Sequence, residues 1–223
     1  MTQPSQNPAT PPALDIAPAT GRLGMLTPGM GAVATTAIAG IMAARQGQAV
    51  PIGSLTQMAH IRLGSRDEGR NPMIKDFAPL ATLDDLAFGG WDPISANALE
   101  AAHTAGVLKD SDLAPISGEL EGVASMPAVF DQRWVSKLDG IRVKEGASKW
   151  DLARQLVEDI ERFKEEENCE RMVMVWTGST EAYQVKADVH SDPDAFEAGM
   201  KANDENIAPS QMYAWAALSS GVP

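Results

Sequence analysis

The stretch from Leu23 to Gln46 constrains the fold more than any other part of the chain. An apolar run, Leu23-Gly24-Met25-Leu26-Thr27, is stopped by Pro28-Gly29, and Ala32 to Gln46 follows, rich in Ala, Ile and Met and ended by Gly47. That order describes a buried strand feeding, through a tight turn, a helix that packs back on it. The turn, Gly29-Met30-Gly31-Ala32-Val33-Ala34, matches G-x-G-x-x-A. Gly29 allows the bend, Gly31 lets the backbone approach a pyrophosphate, and Ala34 lets helix and strand pack closely. Free N–H groups at the helix start would face the anion, so the pattern points to a dinucleotide site.

The alternation recurs along the chain. Asp85-Leu86-Ala87-Phe88-Gly89-Gly90-Trp91-Asp92 runs from strand-like residues into a turn, where Asp92 and Pro93 suit the N-cap and first position of a helix through Ala105, ended by Gly106. Ser148 suits the cap of an amphipathic helix with Leu152, Leu156, Ile160 and Phe163 on one face. Met172 to Trp176 is a continuous apolar run, as in a strand buried on both faces, and Asp192-Pro193 and Pro209 begin two further helices, the last through about Ser219. Such a chain predicts an α/β fold, a Rossmann-like doubly wound, mostly parallel sheet with helices on both faces. Residues 1–20 hold five of the fifteen prolines and no Lys or Arg. They read as a flexible tail ahead of one domain over 21–223.

Charge and cysteine narrow the function. Eighteen Lys and Arg against thirty Asp and Glu leave a net charge of −12, which repels nucleic-acid backbones and anionic membranes, so neither is an expected partner. Cys169 stands alone and cannot close an internal disulfide, which fits a reducing, cytoplasmic setting. The acidic stretch Glu165–Asn168 before it would raise its pKa and dull it as a nucleophile. The weakly polar stretch Gly31 to Ala44 falls short of the roughly 20 residues that cross a bilayer, and the N-terminus lacks a signal-peptide pattern. His60, His103 and His190 share no metal-ligand spacing, and no G-x-S-x-G elbow is present. Met172, Met174 and Trp176 read as core packing.

One expectation of a dinucleotide site fails in sequence. The acidic residue that follows the glycine motif by about 20 positions is missing, since Gln48 to Gln57 holds no Asp or Glu. Asp92, just past the end of another predicted strand, is the alternative ribose ligand; the competing reading is that it only caps the next helix.

Four blocks go beyond generic pattern: Leu26-Thr27-Pro28-Gly29-Met30-Gly31-Ala32-Val33-Ala34-Thr35-Thr36, Gly53-Ser54-Leu55-Thr56-Gln57, Phe88-Gly89-Gly90-Trp91-Asp92 and Val175-Trp176-Thr177-Gly178-Ser179-Thr180-Glu181. In this order they closely resemble the inositol-3-phosphate synthase (myo-inositol-1-phosphate synthase) family, from Arg22 to the last residue. The resemblance implies an NAD-dependent isomerase that converts D-glucose 6-phosphate into 1L-myo-inositol 1-phosphate, the entry step to inositol and inositol lipids. The implied route is oxidation at C5, enolisation, intramolecular aldol closure and return of the hydride, with no net redox change.

By position, the family's pyrophosphate loop falls on Gly31, Ala32, Val33 and Ala34 with Gly29 shaping the turn, its ribose carboxylate on Asp92, and its second cofactor segment on Thr177, Gly178, Ser179 and Thr180. The loop departs from the Gly-Gly-Asn-Asn form of eukaryotic members, so backbone contacts must suffice. Between Val129 and Gly146 the correspondence is loose and implies no site. The family's phosphate-binding segment, catalytic lysines and tetramer-forming strands lie downstream of the last helix. The expectation is therefore a C-terminally incomplete sheet, a cofactor half inactive by itself, no assignable catalytic residue, and a homotetramer only in the full-length family. The alternative is a stand-alone NAD-binding module or a split-enzyme subunit; an unrelated Rossmann dehydrogenase would leave the four blocks as coincidence.

Overall fold

Strand β1 (Arg22–Pro28) lies inside a four-stranded sheet of order β3-β2-β1-β4, with β2 spanning Leu86–Trp91, β3 Ser125–Met126 and β4 Cys169–Met174. Every pairing is parallel, and β1 meets β2 in register from Leu23 opposite Leu86 to Pro28 opposite Trp91. Consecutive parallel strands need crossovers, and the chain supplies helices for them, as the alternating sequence pattern predicted. The computed structural model describes residues 20–223. The tail expected over 1–20 lies outside them apart from Thr20, whose hydroxyl donates to Glu170 at 2.8 Å.

Helices cover the sheet in two packed layers. On one side α1 (Ala32–Arg45), α2 (Ala98–Ala105) and α3 (Ser117–Gly122) enclose a core that includes Met30, Ile38, Phe88, Ile116 and Leu120. The other core includes Leu26, Trp91, Leu156, Ile160, Met212 and Tyr213 beneath α4 (Lys149–Glu166) and α6 (Pro209–Ser219). Leu156 and Ile160 are 0% exposed, and burial of each such side chain is worth about 1.5–3 kcal/mol. Ser148 caps α4 as predicted, its hydroxyl accepting from the N–H of Asp151 at 3.1 Å. Asp192 caps α5 (Pro193–Lys201) in the same way, accepting from the N–H of Ala195 at 2.8 Å.

Two elements differ from the sequence-based expectation. The helix expected from Asp92-Pro93 begins only at Ala98, where the Asn97 side chain accepts from the N–H of Glu100 at 2.9 Å. Residues 93–97 are needed elsewhere: Ser125 N–H donates to the Ala96 carbonyl at 2.9 Å and Ala98 N–H to that of Val123 at 2.9 Å, which stitches them to the β3 end. The run Met172 to Trp176 is not a strand buried on both faces. Strand β4 ends at Met174 and lies at the sheet edge, with Arg171 exposed, Val173 and Met174 half-buried and Trp176 41% exposed. Along the outer side of β4, the carbonyl of Pro223 accepts from Met174 N–H at 2.9 Å.

Between α1 and β2 the chain makes a long excursion over 46–85, carrying the short helices Leu55–Met58 and Ile74–Phe77 and no fully buried residue. Arg45 ties down its return, donating to the carbonyls of Leu83 at 2.7 Å and Leu86 at 2.6 Å.

Candidate functional site

The site candidates gather at the carboxyl edge of the sheet, where open α/β sheets take ligands. Gly29 leaves β1 at φ +82°, which an L side chain rarely adopts, and a Cβ there would lie 2.2 Å from the Cα of Gly178. Glycine is thus demanded twice over, by conformation and by close approach of the 177–178 loop. The N–H groups of Gly29 and Met30 donate to the Trp91 carbonyl at 2.8 and 3.2 Å, fastening the turn to the end of β2. Gly31 is the N-cap of α1, with no side-chain cap, and a Cβ on it would meet nothing within 4 Å. The N–H groups of Gly31, Ala32, Val33 and Ala34 have no partner among the described residues. They are the unsatisfied donors of a helix start, at the positive end of the helix dipole, and Gly31 among them borders open space. Ala34 is fully buried, as close packing of helix on strand requires, while Val33 is 65% exposed beside the open donors.

Asp92 closes the other side. It is buried to 7% exposure, and its Oδ1 accepts from the N–H groups of Ile94 at 2.8 Å and Ser95 at 2.6 Å. It therefore caps a local turn rather than α2, and its Oδ2 has no protein donor among the described residues. The register of Pro28 opposite Trp91 sets Asp92 beside the glycine turn on the neighbouring strand. The excursion over 46–85 lengthens the connection, so that the carboxylate next to the glycine turn, Asp92 at the end of β2, comes late in the sequence.

The third segment arrives from β4. Thr177 is used structurally: its N–H donates to the Pro28 carbonyl at 3.0 Å and its hydroxyl to the Gly29 carbonyl at 2.8 Å. Gly178 packs under Gly29, and the exposed Ser179 and Thr180 carry hydroxyls with no protein partner among the described residues. Glu181 anchors the far end, accepting from the N–H of Ser210 at 2.9 Å and from its hydroxyl at the start of α6. A small apolar recess of about 50 Å³ lies between these segments, lined among others by Gly29, Phe130, Trp176, Gly178 and Tyr213. Tyr213 accepts the Val129 N–H at 2.9 Å, and burial pushes its phenol far above the usual range.

Groups outside this edge offer little chemistry. Burial pushes the Cys169 thiol up, with the nearby Arg22 and Glu167 charges acting in opposite senses; burial, and not the acidic stretch, is the leading cause. His190 accepts from the N–H of Ala187 at 3.0 Å, and His60 and His103 lie elsewhere on the fold. Among the described residues, no group of three or more His, Cys, Asp or Glu could hold a metal ion, and no helix is long and apolar enough to cross a membrane.

Parallel sheet, glycine turn, open helix start and carboxylate at the end of the adjacent strand define a dinucleotide-binding α/β domain. The family model described as myo-inositol-1-phosphate synthase, that of its NAD-binding domain, matches residues 23–223, and the chain belongs to this family. It is 47% identical over 211 residues to inositol-3-phosphate synthase 1 of Bacteroides thetaiotaomicron, covering 94% of this chain and 48% of that protein. To inositol-3-phosphate synthase 1 of Oryza sativa it is 32% identical over 218 residues, covering 91% of this chain and 43% of that protein. The crystal structure of inositol-3-phosphate synthase from Caenorhabditis elegans superposes with a TM-score of 0.82 at 24% identity, over 91% of this chain and 43% of that one, and shows the same fold. The chain thus spans somewhat under half the length of these relatives.

Proposed function

We propose that this chain supplies the NAD-binding part of an inositol-3-phosphate synthase, converting D-glucose 6-phosphate to 1L-myo-inositol 1-phosphate. One observation carries the reading: the unpartnered N–H groups of Gly31 to Ala34 and the free Oδ2 of Asp92 stand on neighbouring strand ends of a family member. The backbone of Gly31, Ala32, Val33 and Ala34 holds the pyrophosphate, and the open space in front of Gly31 is the room it needs. Asp92 accepts hydrogen bonds from the adenine ribose and repels a 2′-phosphate at that position. Gly29 and Gly178 let the two loops meet, Thr177 holds the turn, and Ser179 and Thr180 offer hydroxyls to the cofactor. NAD, once bound, supplies the acceptor and later the donor of the sugar hydride.

The groups that polarise the sugar carbonyl and shuttle its protons lie outside these 223 residues in this reading, so the chain by itself yields no product. A homotetramer belongs to the same proposal, for the full-length protein. A cytoplasmic setting is supported by the single, unpaired Cys169.

A chimera tests the function. These residues replace the matching part of the Bacteroides protein, and the purified chimera receives NAD and glucose 6-phosphate. Formation of inositol phosphate is the expected result. A folded chimera that binds NAD but makes none would refute the assignment.

A further inference from the structure

Lys144 and Asp159 form a buried ion pair, Nζ to Oδ2 at 2.7 Å, with side chains 9% and 5% exposed. Such a pair loses so much hydration that it is weak as a source of stability, and its retention asks for another role. The remaining partners of the carboxylate point to one. Oδ2 of Asp159 also accepts the indole N–H of Trp91 at 2.7 Å, and Oδ1 accepts from Arg162 at 2.6 Å. The carboxylate is thus gripped from three sides, and Trp91 is gripped by the carboxylate.

Trp91 is fully buried, and Tyr213 meets its ring edge-on at 5.2 Å between centroids. Its backbone carbonyl accepts the N–H groups of Gly29 and Met30 that set the height of the glycine turn. Asp92 is the next residue. One residue therefore carries both the carbonyl that fastens the turn on β1 and, through its indole, the contact with Asp159, and it leads directly into Asp92. We propose that Asp159 is a positioning residue for the NAD site: by accepting the Trp91 indole N–H it acts through Trp91 without touching the cofactor. The inference rests on the NAD-binding reading above.

Two double variants of the full chain separate this role from a purely structural one. D159N/K144M and D159L/K144M both remove the buried ion pair and strand no buried charge, since Arg162 is half-exposed to water, and Asn and Leu are close to Asp in shape. Only Asn keeps an acceptor for the Trp91 N–H. D159N/K144M is expected to bind NAD within about twofold of the parent, and D159L/K144M about tenfold more weakly, a coupling of ordinary size between two sites. The Trp91 indole cross-peak in a ¹H–¹⁵N spectrum should stay downfield in the first variant and move upfield in the second. Should D159L/K144M not fold, W91F removes the same N–H and is expected to weaken NAD binding similarly.

Equal NAD affinity in the two variants, whether at the parental level or below it, overturns the role through Trp91 and leaves the cofactor reading standing. A parent chain that takes up no NAD overturns the cofactor reading and the positioning role with it.

Discussion

Gly29 and Gly31 stand two residues apart in one turn, yet the structure assigns them opposite failures. At Gly29 an alanine takes φ +82° and puts its Cβ 2.2 Å from the Gly178 Cα and 2.6 Å from its nitrogen. The left-handed conformation costs an L residue about 1–2 kcal/mol. The overlap is with backbone, so the 177–178 loop must back away and loosen the Thr177 bonds to the carbonyls of Pro28 and Gly29, at about 1 kcal/mol each. The sum, about 3 kcal/mol, lowers the melting temperature of a domain this size by roughly 6–12 °C. At Gly31 a Cβ meets nothing within 4 Å and φ is −91°. Gly31→Leu therefore changes stability by no more than about 1 kcal/mol, while its side chain fills the space claimed for the pyrophosphate. Calorimetric melting and NAD titration of both variants provide the assay. Gly29→Ala should melt early; Gly31→Leu should melt like the parent and bind NAD at least about tenfold more weakly. A Gly29→Ala chain of parental stability, or a Gly31→Leu chain of parental affinity, refutes the reasoning.

Further predictions follow from single side chains. Asp92→Asn keeps an acceptor for the N–H groups of Ile94 and Ser95 but removes the charge. The melting temperature should hold, while titration shows NAD affinity falling about tenfold and discrimination against NADP narrowing. Ser148→Ala deletes the α4 cap and should cost about 1 kcal/mol in a denaturant melt, with NAD affinity unchanged. Burial favours the neutral Cys169 thiol, so its thiolate forms at higher pH in the folded chain than in the unfolded one. A disulfide reagent at pH 8 should accordingly label the native protein at least about tenfold more slowly than the denatured protein.

What the sequence disclosed was what short-range chemistry determines. Pro28-Gly29 ahead of an apolar helix, Ser148 before an amphipathic one, and Asp192-Pro193 each act within a few residues, and all stand where the pattern placed them. Asp92 was found as a candidate, but its local signal was ambiguous. An Asp before a Pro caps a turn as readily as a helix, and the decision lay with the β3 end, which claims residues 93–97 for itself. The apolar run at Met172 could not announce that it forms an edge, because edge or centre is a property of the neighbours. The Asp159 cluster was invisible: Trp91, Lys144 and Asp159 come from a strand, a loop and a helix, and no periodicity links them.

The location of the cofactor is open to one decisive experiment, a titration of the ¹⁵N-labelled chain with NAD followed residue by residue. The proposed site requires saturable amide shifts centred on Gly29 to Ala34, Asp92 and Thr177 to Thr180, with α5 and the excursion over 46–85 undisturbed. No saturable shift, or a footprint centred elsewhere on the fold, would contradict it.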